Sequence, residues 1–309
     1  MTNYKNIPFI CPLCKTELKI QKKEIFCSNG LCNHSKKEHS FKILDDTPVL
    51  ISSDFTDTLF DSNSIKSYIP RKSPLENLIY STFTPKSGIT IENCELFIKE
   101  IIKNSANPKV LIIGSGEKGS GTEKLWENEQ ISIDGTDVYK TPSVDFICDS
   151  HYIPVSNDFY DGVWIQAVLE HVADPVKVVS EIHRVLKSNG IVYAETPFMQ
   201  QVHEGAYDFT RYTVLGHRFL FKNFESIEIG GNQGPDIVLI WAIKYFILAI
   251  TRSNKLAKLS SIVFTLILFP FKYLISRKSL YFGPSGVFFL GKKSKKAISQ
   301  KELISLYKG

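Results

Sequence analysis

Residues 161–197 constrain the fold of this chain most, because they combine a strand, a helix and a second strand in close succession. The apolar run Gly162–Ile165 is followed by apolar residues spaced three or four apart, as in an amphipathic helix, and then by the apolar run Ile191–Ala194. The pair Asp174-Pro175 is typical of a helix start, and we expect Gly190 to end the helix in a left-handed turn. Such a crossover belongs to a parallel sheet. Because parallel sheets bind ligands at the carboxyl ends of their strands, this segment predicts where a site lies.

Three segments upstream predict strands that end in ligand-binding residues. Val110–Ile113 is an apolar strand that leads into the loop 114–119, whose glycines have G-x-G-x-x-G spacing. Glycines let a ligand approach the backbone closely, although the same spacing also occurs in turns that only connect elements. The strands Ile131–Asp137 and Val144–Asp149 each end in an acid, and the first of these acids can accept hydrogen bonds from both ribose hydroxyls of a nucleoside. Together the three strands favour nucleoside binding.

The order of these motifs resembles class I S-adenosylmethionine-dependent methyltransferases, and within them the type 11 methyltransferase-domain group. The resemblance covers about residues 107–230, and it rests on G-S-G at 114, T-D-V at 136, V-D-F-I-C-D-S-H-Y-I-P at 144, L-E-H-V at 169 and R-V-L-K-x-x-G at 184. It implies an α/β fold, a Rossmann-like sheet of seven strands that binds S-adenosylmethionine rather than a dinucleotide.

The same resemblance implies which residues contact the cofactor. They are Gly114, Ser115 and Gly116 beneath the methionine and ribose, Asp137 at the ribose hydroxyls, Asp149 with Ser150 or His151 at the adenine, and Gln166 and Ala167 on the methionine side. The chain departs from the family at Ile112, where many members have an acid that helps to fix the amino group of the cofactor.

Four of the six cysteines lie within the first 32 residues, in two short pairs. Two pairs of thiolates on turns can complete a tetrahedral Zn²⁺ shell, whereas four reduced cysteines or a redox pair are the alternatives. Because about 45 residues are too few for a good core, the metal would supply much of the stability. The segment resembles the zinc-ribbon modules found beside methyltransferases. The predicted ligands are Cys11, Cys14, Cys27 and Cys32, and His34 or His39 could replace a thiolate.

These signals divide the chain into three parts. A zinc-ribbon module covers residues 1–51, a linker and helix cover 52–90, and a methyltransferase domain covers 91–309. Helical apolar spacing occurs at Leu75–Phe83 and at Glu92–Lys103, and the second of these helices directly precedes the first strand of the sheet.

Composition favours a cytoplasmic protein with a basic C-terminal part. Cys94 and Cys148 are isolated, as expected of free thiols in a reducing cytosol, and Met1–Ile10 lacks the apolar region of a signal peptide. Residues 251–309 contain 12 Lys and Arg against one acid, whereas the first 250 residues contain 25 against 31. The basic part could therefore contact phosphates or anionic lipid.

The segment 196–213 follows the fifth predicted strand and concentrates groups that suit an acceptor site. Methyl transfer to oxygen or nitrogen needs an in-line nucleophile, and an oxygen nucleophile usually has to lose a proton. Alternatively, His203, Asp208 and Arg211 only staple the loop by hydrogen bonds, and His171 caps a helix start. The candidate catalytic residues are His203 as the base, His171 after the fourth strand and the phenol of Tyr207, with Glu204, Asp208 and Arg211 nearby.

An apolar insert over residues 234–283 separates the predicted sixth strand, Phe224–Gly230, from an antiparallel seventh strand, Gly286–Gly291. Its apolar runs, Ile237–Ile250 and Leu259–Ile275, are shorter than the roughly 20 residues of a membrane span. We expect two helices that either pack on the domain as a lid or lie on a membrane surface, beside the acceptor pocket. Basic residues of the kind that contact anionic headgroups flank these runs. They are Arg252, Lys255, Lys258, Lys272, Arg277 and Lys278.

The sequence therefore predicts a methyltransferase with structural zinc, which acts on a small, saccharide or lipid-linked acceptor, at the cytoplasmic face of a membrane. The saccharide class rests on resemblance to enzymes encoded near polysaccharide-assembly genes. Two other functions stay open: an RNA methyltransferase that uses the zinc module and the basic tail, and a cofactor-binding partner subunit without catalysis, which Ile112 would suit. Against RNA, the insert is apolar and the sequence shows no evident stacking surface of aromatic residues.

Overall fold

The structure is a computed structural model that describes residues 3–52, 54, 55, 58, 59, 87–276 and 278–309. The helix predicted at Leu75–Phe83 lies outside these residues, as does most of the predicted linker. The strands are β1 (Leu18–Gln21), β2 (Glu24–Cys27), β3 (Phe41–Leu44), β4 (Thr47–Val49), β5 (Lys109–Ile113), β6 (Ser132–Asp137), β7 (Phe146–Ile147), β8 (Tyr160–Gln166), β9 (Leu186–Pro197), β10 (Phe224–Gly231) and β11 (Gly286–Lys293).

Helices cover both faces of the sheet and form the insert. The α-helices are α1 (Gly88–Asn104), α2 (Glu123–Trp126), α3 (Pro175–Val185), α4 (Val214–Leu220), α5 (Pro235–Thr251), α6 (Asn254–Leu268), α7 (Ser279–Phe282) and α8 (Gln300–Ser305). Short 3-10 turns occur between them, among them Leu169–His171 after β8 and Gly205–Tyr207 after β9.

The strands form one mixed sheet in the order β1-β2-β3-β4-β7-β6-β5-β8-β9-β11-β10. Strand β5 lies between β6 and β8 and is parallel to both, so that Ile113 pairs with Thr136 on one side and with Ile165 on the other. Strand β11 is antiparallel to β9 and β10, as predicted for the last strand. The α/β fold class is therefore confirmed, and the carboxyl ends of β5, β6 and β8 meet at one edge.

Helix α3 ends at Val185, earlier than the predicted stop at Gly190. Asp174 caps its start as predicted, because its side chain accepts a hydrogen bond from the Lys177 N–H at 3.0 Å. Leu186, by contrast, is extended and fully buried as the first residue of β9. The residue with left-handed backbone geometry is Asn189, three positions after Leu186, with a φ of 68°. Burial of Leu186 in the sheet thus ends the helix before the glycine is reached.

Helix α1 packs against β8 at a glycine. Phe97 is completely buried, and its ring lies edge-on to Trp164 with 5.3 Å between the centroids. A Cβ on Gly162 would lie 2.7 Å from the Phe97 ring, so glycine lets the helix approach the strand this closely. The helix predicted at Glu92–Lys103 is confirmed within a longer helix whose N-cap is Ser87.

The N-terminal module continues the main sheet instead of forming a separate one. Val49 of β4 pairs in parallel with Ile147 of β7, and the Leu50 N–H donates to the Ile147 carbonyl at 2.8 Å. Phe9 packs edge-on against Phe146. Buried side chains of the module therefore share one core with the sheet. Contrary to the expectation of a poor core, this shared burial stabilises the module in addition to any metal.

The apolar insert forms helices α5 and α6, which pack against each other. Many of their apolar side chains face outward, and Phe246 and Leu266 are each 64% exposed. Within the described residues, one helical stretch, Asn254–Phe271, is long and apolar enough by length and composition to cross a membrane, and 6% of it is buried. The sequence predicted no such stretch. The structure differs because the helix begins at Asn254, before the apolar run at Leu259.

Phe97→Ala should lower the free energy of unfolding by about 3–5 kcal/mol, because it leaves a cavity where a buried ring packs against β8. Val176→Ala is the matched control, since Val176 of α3 is 64% exposed. We expect that control to change the stability by less than about 0.5 kcal/mol. Urea denaturation followed by circular dichroism measures both variants, and two equally small effects would contradict this packing of α1.

Candidate functional site

The glycine-rich loop after β5 lies at the carboxyl edge of the sheet. Gly114 has a φ of 79°, which favours glycine, and its N–H donates to the Thr136 carbonyl at 2.9 Å. The Gly116 N–H donates to the Asp137 carboxylate at 2.8 Å. A Cβ on Gly116 would lie 2.7 Å from the same carboxylate, so the two loops can meet only at a residue without a side chain. The structure thus brings Gly114, Ser115, Gly116 and Asp137 together.

Asp137 ends β6 as a partly exposed hydrogen-bond acceptor. Burial raises the pKa of its carboxyl to about 6, and the N–H groups of Gly116, Val138 and Tyr139 oppose this rise. The group is therefore ionised at neutral pH and protonated in mild acid. Because ribose hydroxyls can donate to a carboxylate, the ionised form suits the ribose contact that the resemblance implies.

The predicted adenine residues Asp149, Ser150 and His151 are all buried just after β7. His151 Nδ1 lies 2.5 Å from an Asp149 carboxylate oxygen, and the Asp174 N–H donates to His151 Nε2 at 3.2 Å. The other Asp149 oxygen accepts a hydrogen bond from the Thr58 hydroxyl at 2.6 Å. Burial alone would raise the pKa of Asp149, but the hydrogen bonds from His151 and Thr58 outweigh it and lower that pKa. His151 therefore orients Asp149, and the adenine contacts stay predictions.

Gln166 and Ala167 lie where β8 ends, beside the glycine-rich loop. A Cβ on Gly119 would lie 2.2 Å from Gln166 Oε1, so this glycine allows the loop and the strand end to touch. Ala167 has a φ of 54°, which marks a sharp turn of the chain. Ile112, Gly119, Trp164 and Gln166 line a small cavity here. The methionine side of the cofactor stays the predicted occupant of this place.

Glu195 of β9 is a hydrogen-bonded acid that sequence reasoning missed. Its carboxylate accepts hydrogen bonds from the Tyr193 hydroxyl at 2.6 Å, the Thr90 hydroxyl at 2.8 Å and the Asn232 amide at 2.9 Å. Strand pairing and alternation place it on the face of the sheet that also carries Ile112. It thus supplies an acid on the face where the first strand lacks one. Thr90 and Asn232 are distant from it in sequence, so no local pattern marks the full set of its partners.

The three predicted catalytic residues meet where the loop after β9 contacts the turn after β8. The rings of His171 and His203 are edge-on, with 4.8 Å between the centroids. His171 Nδ1 lies 2.8 Å from the Tyr207 carbonyl oxygen, to which it donates. Tyr207 therefore acts here through its backbone, and the role of its phenol stays a prediction. Burial lowers the pKa of His171, which favours the neutral ring. This contact replaces the helix-start capping considered from the sequence.

Asp208 holds His203 in place. Its carboxylate pairs with both terminal nitrogens of Arg211. It also accepts a hydrogen bond from the His203 N–H at 3.0 Å and lies 3.2 Å from His203 Nδ1. Hydrogen bonding from Arg211 lowers the pKa of Asp208 to about 2, so that the carboxylate is charged near neutral pH. The hydrogen bonds among His203, Asp208 and Arg211 that the sequence suggested are therefore present. They leave His203 Nε2 on the side of Glu170.

Glu170 is a second acid that sequence reasoning missed as a site residue. It is fully buried, and neither carboxylate oxygen has a hydrogen-bond partner among the described residues. One oxygen lies 3.6 Å from His171 Nε2 and 3.9 Å from His203 Nε2. Burial raises the pKa of Glu170 to about 8. The L-E-H-V motif contained this residue, but only the fold shows that it is buried between two histidines.

The four predicted cysteines form a compact cluster. The Sγ atoms of Cys14 and Cys27 are 3.3 Å apart, those of Cys11 and Cys32 are 3.8 Å apart, and all four lie within 4.8 Å of one another. Zn–S bonds of about 2.3 Å would place tetrahedral sulfurs roughly 3.8 Å apart. The donor set therefore fits a structural Zn²⁺ ion, and four protein ligands leave no position for catalysis.

The two histidines near this cluster are not needed as replacement ligands. His34 Nδ1 lies 3.6 Å from Cys11 Sγ, and its Nε2 lies 2.7 Å from the Ser52 hydroxyl, so the ring supports the sulfur cluster from outside. His39 lies 3.8 Å from Asp54 instead.

Residues 113–194 match the protein family described as Methyltransferase domain. The match begins at the end of β5 and ends within β9, and it contains the glycine-rich loop, Asp137, Asp149 and the L-E-H-V turn. The glycine cradle at Gly116 and the ionised Asp137 fit S-adenosylmethionine. The chain therefore carries a class I S-adenosylmethionine-dependent methyltransferase domain, preceded by a zinc-ribbon module, and it is an enzyme of this class.

Solved structures resemble the chain at low identity. A SAM-dependent methyltransferase from Archaeoglobus fulgidus is 15% identical, with a TM-score of 0.44, over 70% of this chain and 99% of that one. Phosphoethanolamine N-methyltransferase 2 from Haemonchus contortus, in complex with S-adenosyl-L-methionine, is 13% identical, with a TM-score of 0.42, over 72% of this chain and 61% of that one. These similarities assign no acceptor. In sequence, the chain matches no curated protein.

Asp137→Asn should weaken S-adenosylmethionine binding by roughly tenfold to hundredfold, because it removes a charged hydrogen-bond acceptor worth about 1.5–3 kcal/mol. In the wild type, affinity should fall as the pH drops below about 6, since the protonated acid no longer accepts from both ribose hydroxyls. The variant should lack this fall. Isothermal titration calorimetry across this pH range measures both proteins, and a wild-type affinity that does not vary with pH would contradict the role.

Cys27→Ala should remove most of the bound zinc and lower the melting temperature, because three thiolates no longer complete the shell. Cys94→Ala is the matched control, since Cys94 is equally buried but lies outside the cluster. Elemental analysis by mass spectrometry should find about one zinc per chain in the wild type and in this control. Unchanged zinc in Cys27→Ala would argue against the site.

Proposed function

We propose that this enzyme methylates an oxygen atom of a lipid-linked acceptor at an anionic membrane surface, on the cytoplasmic side. A lipid-linked saccharide belongs to this class, because its hydroxyl groups are oxygen nucleophiles. The observation that carries the proposal is the exposed apolar hairpin of α5 and α6, which starts at the edge of the sheet where the cofactor loops end.

The hairpin starts beside the site. Gly231, the last residue of β10, pairs with Val287, which also pairs with Thr196 near the carboxyl end of β9. The next residue, Asn232, donates its side-chain amide to Glu195 at 2.9 Å. Helix α5 begins shortly afterwards, at Pro235. An acceptor whose lipid part lies along the hairpin would therefore have its head group near the loops that hold the cofactor.

The surface of the hairpin suits contact with lipid. Phe246, Leu266 and Ile250 are each 64–65% exposed, and Leu274 is 79% exposed. Several large exposed apolar side chains on two packed helices and on the 3-10 turns that follow them favour contact with a membrane or a protein. Basic side chains beside it favour an anionic membrane. Four basic side chains are exposed here: Arg252 at the hairpin turn, Lys255 and Lys258 at the start of α6, and Lys278 just before α7. Arg277 and the side chain of Lys272 lie outside the described part of the chain.

Methyl transfer needs a bound cofactor and a group that accepts the proton of the acceptor hydroxyl. S-adenosylmethionine supplies a methyl group on a positively charged sulfur, and the glycine-rich loop, Asp137 and Gln166 would hold it. An acceptor hydroxyl has to lose its proton as its oxygen bonds to the methyl carbon. Glu170, His171 and His203 form the polar cluster on the side of the acceptor, where lone pairs can receive that proton. His203 as the individual base stays a prediction.

The double substitution Phe246→Ser and Leu266→Ser should weaken binding to anionic vesicles roughly tenfold to hundredfold, because burying one apolar side chain fully contributes about 1.5–3 kcal/mol. Leu31→Ser is the matched control, as Leu31 is 96% exposed in the zinc-ribbon module, away from the hairpin. Vesicle sedimentation with and without phosphatidylglycerol measures all three proteins. A wild type that binds neither vesicle, or a double variant that binds as well as the wild type, would refute membrane contact.

Release of S-adenosylhomocysteine tests the acceptor directly. We expect faster release with a lipid-linked saccharide in vesicles than with the same saccharide free in solution. Methylation of RNA, together with salt-sensitive RNA binding and no transfer to the lipid, would support the RNA alternative and overturn this proposal. Cofactor binding without transfer to any acceptor class would instead support a partner subunit.

A further inference from the structure

We infer that Glu170, His171 and His203 form a binding site for a first-row divalent transition-metal cation, distinct from the four cysteines. The side chains come from two segments, the turn after β8 and the loop after β9. Each offers one ligand atom, and the three atoms lie within 4.8 Å of one another. Two imidazoles and one carboxylate are a donor set that zinc, iron and related cations use with open positions for water or substrate.

The distances suit coordination. A Glu170 carboxylate oxygen lies 3.6 Å from His171 Nε2 and 3.9 Å from His203 Nε2. Metal–ligand bonds of about 2.0–2.2 Å place ligand atoms of a tetrahedron roughly 3.3–3.6 Å apart. The two distances to Glu170 are therefore within a few tenths of an ångström of bonding positions, and the two histidine ligand atoms lie no more than 4.8 Å apart.

Both histidines are already oriented as ligands. His171 Nδ1 donates to the Tyr207 carbonyl at 2.8 Å, and His203 Nδ1 lies 3.2 Å from the Asp208 carboxylate. A proton on each Nδ1 leaves a lone pair on each Nε2, which is the nitrogen nearer to Glu170. Metal-bound histidines usually donate their second ring N–H to a carbonyl or carboxylate in this way.

A Glu170 carboxyl oxygen lies near the Nε2 atoms of both histidines, at distances that are too long for hydrogen bonds. Glu170 is fully buried, and among the described residues neither of its oxygens has a hydrogen-bond partner. The guanidinium of Arg211 hydrogen-bonds to Asp208. A buried carboxylate normally requires a donor or a cation. A divalent cation would satisfy the carboxylate and both lone pairs at once.

The fold fixes the two segments relative to each other. The Phe209 N–H donates to the Glu170 carbonyl at 2.8 Å, and this backbone bond lies next to the hydrogen bond from the His171 side chain to the Tyr207 carbonyl. The histidine side chains are 22% and 26% exposed, so a cation can reach the cluster from solvent. Three protein ligands would leave at least one position for water or an acceptor oxygen.

This inference deepens the proposed function and rests on it only for what the cation does. A cation held here would lower the pKa of a hydroxyl bound to it, so the hydroxyl would lose its proton to solvent water and its oxygen would become a better nucleophile for the methyl carbon. His203 would then be a ligand and not the base. Binding itself needs neither cofactor nor acceptor, so it can be measured separately from methyl transfer.

Mn²⁺ is the probe of choice, because it prefers nitrogen and oxygen ligands to thiolates. It should therefore not displace zinc from the four cysteines. We would titrate the full-length, zinc-loaded chain with Mn²⁺ and follow the electron paramagnetic resonance signal of free Mn²⁺. We expect one Mn²⁺ to bind per chain, and we expect electron spin echo modulation from imidazole nitrogen in the bound state. A wild type that binds no Mn²⁺, or binds it without nitrogen modulation, would overturn the inference.

Glu170→Gln and His203→Ala should each weaken Mn²⁺ binding at least tenfold, because each removes one of three ligands. Glu204→Gln is the matched control, since it removes an acidic charge next to His203 without removing a ligand atom, and it should change the affinity less than about twofold. Equal weakening in all three variants would indicate general charge attraction and would overturn the site.

Calorimetry with S-adenosylmethionine on the same samples separates the two proposals. Retained cofactor binding in Glu170→Gln shows that the variant is folded, so its loss of Mn²⁺ supports the ligand role. If Glu170→Gln also loses the cofactor, the imidazole signal of wild-type Mn²⁺ alone decides the inference. A wild type that binds Mn²⁺ but not S-adenosylmethionine would contradict the proposed function and leave the metal site standing.

Discussion

The parallel pairing of β5 with β6 on one side and with β8 on the other is the interaction on which the rest of the structure depends. Its register aligns Ile113 with Thr136 and Ile165, so the three strands end level with one another. The glycine-rich loop therefore meets Asp137 at 2.8 Å from Gly116 N to the carboxylate. A shift of one residue would turn every side chain of the strand to the other face and would separate these groups.

The same edge also positions the side of the site where the proposed acceptor would bind. Strand β9 is parallel to β8, so the turn after β8 and the loop after β9 leave the sheet side by side. The backbone bond from Phe209 to Glu170 then joins these segments and leaves a buried carboxylate between two imidazoles. The energetic cost of a buried carboxyl group without a hydrogen-bond partner among the described residues is the main reason to propose a cation there.

Several parts of the fold and site follow from local pattern. The strands at Val110–Ile113 and Gly162–Ile165 and the cap at Asp174 could be predicted, because apolar period and capping chemistry act within a few residues. The helix end could not, because Leu186 is drawn into the sheet by burial against partners distant in sequence. Glu195 escaped prediction for the same reason, since Thr90 and Asn232, which bind it, lie on separate elements.

The sequence by itself determined the parallel α/β sheet, the loop in which glycine is required, the acid at the end of β6 and the four thiolates of the zinc cluster. Each of these features depends on backbone conformation or side-chain chemistry within a few consecutive residues. Only the tertiary structure decided that the zinc-ribbon strands extend the main sheet through Val49 and Ile147, and that Glu170 is buried between His171 and His203. Burial and distance between remote segments arise when the chain packs, and no local spacing encodes them.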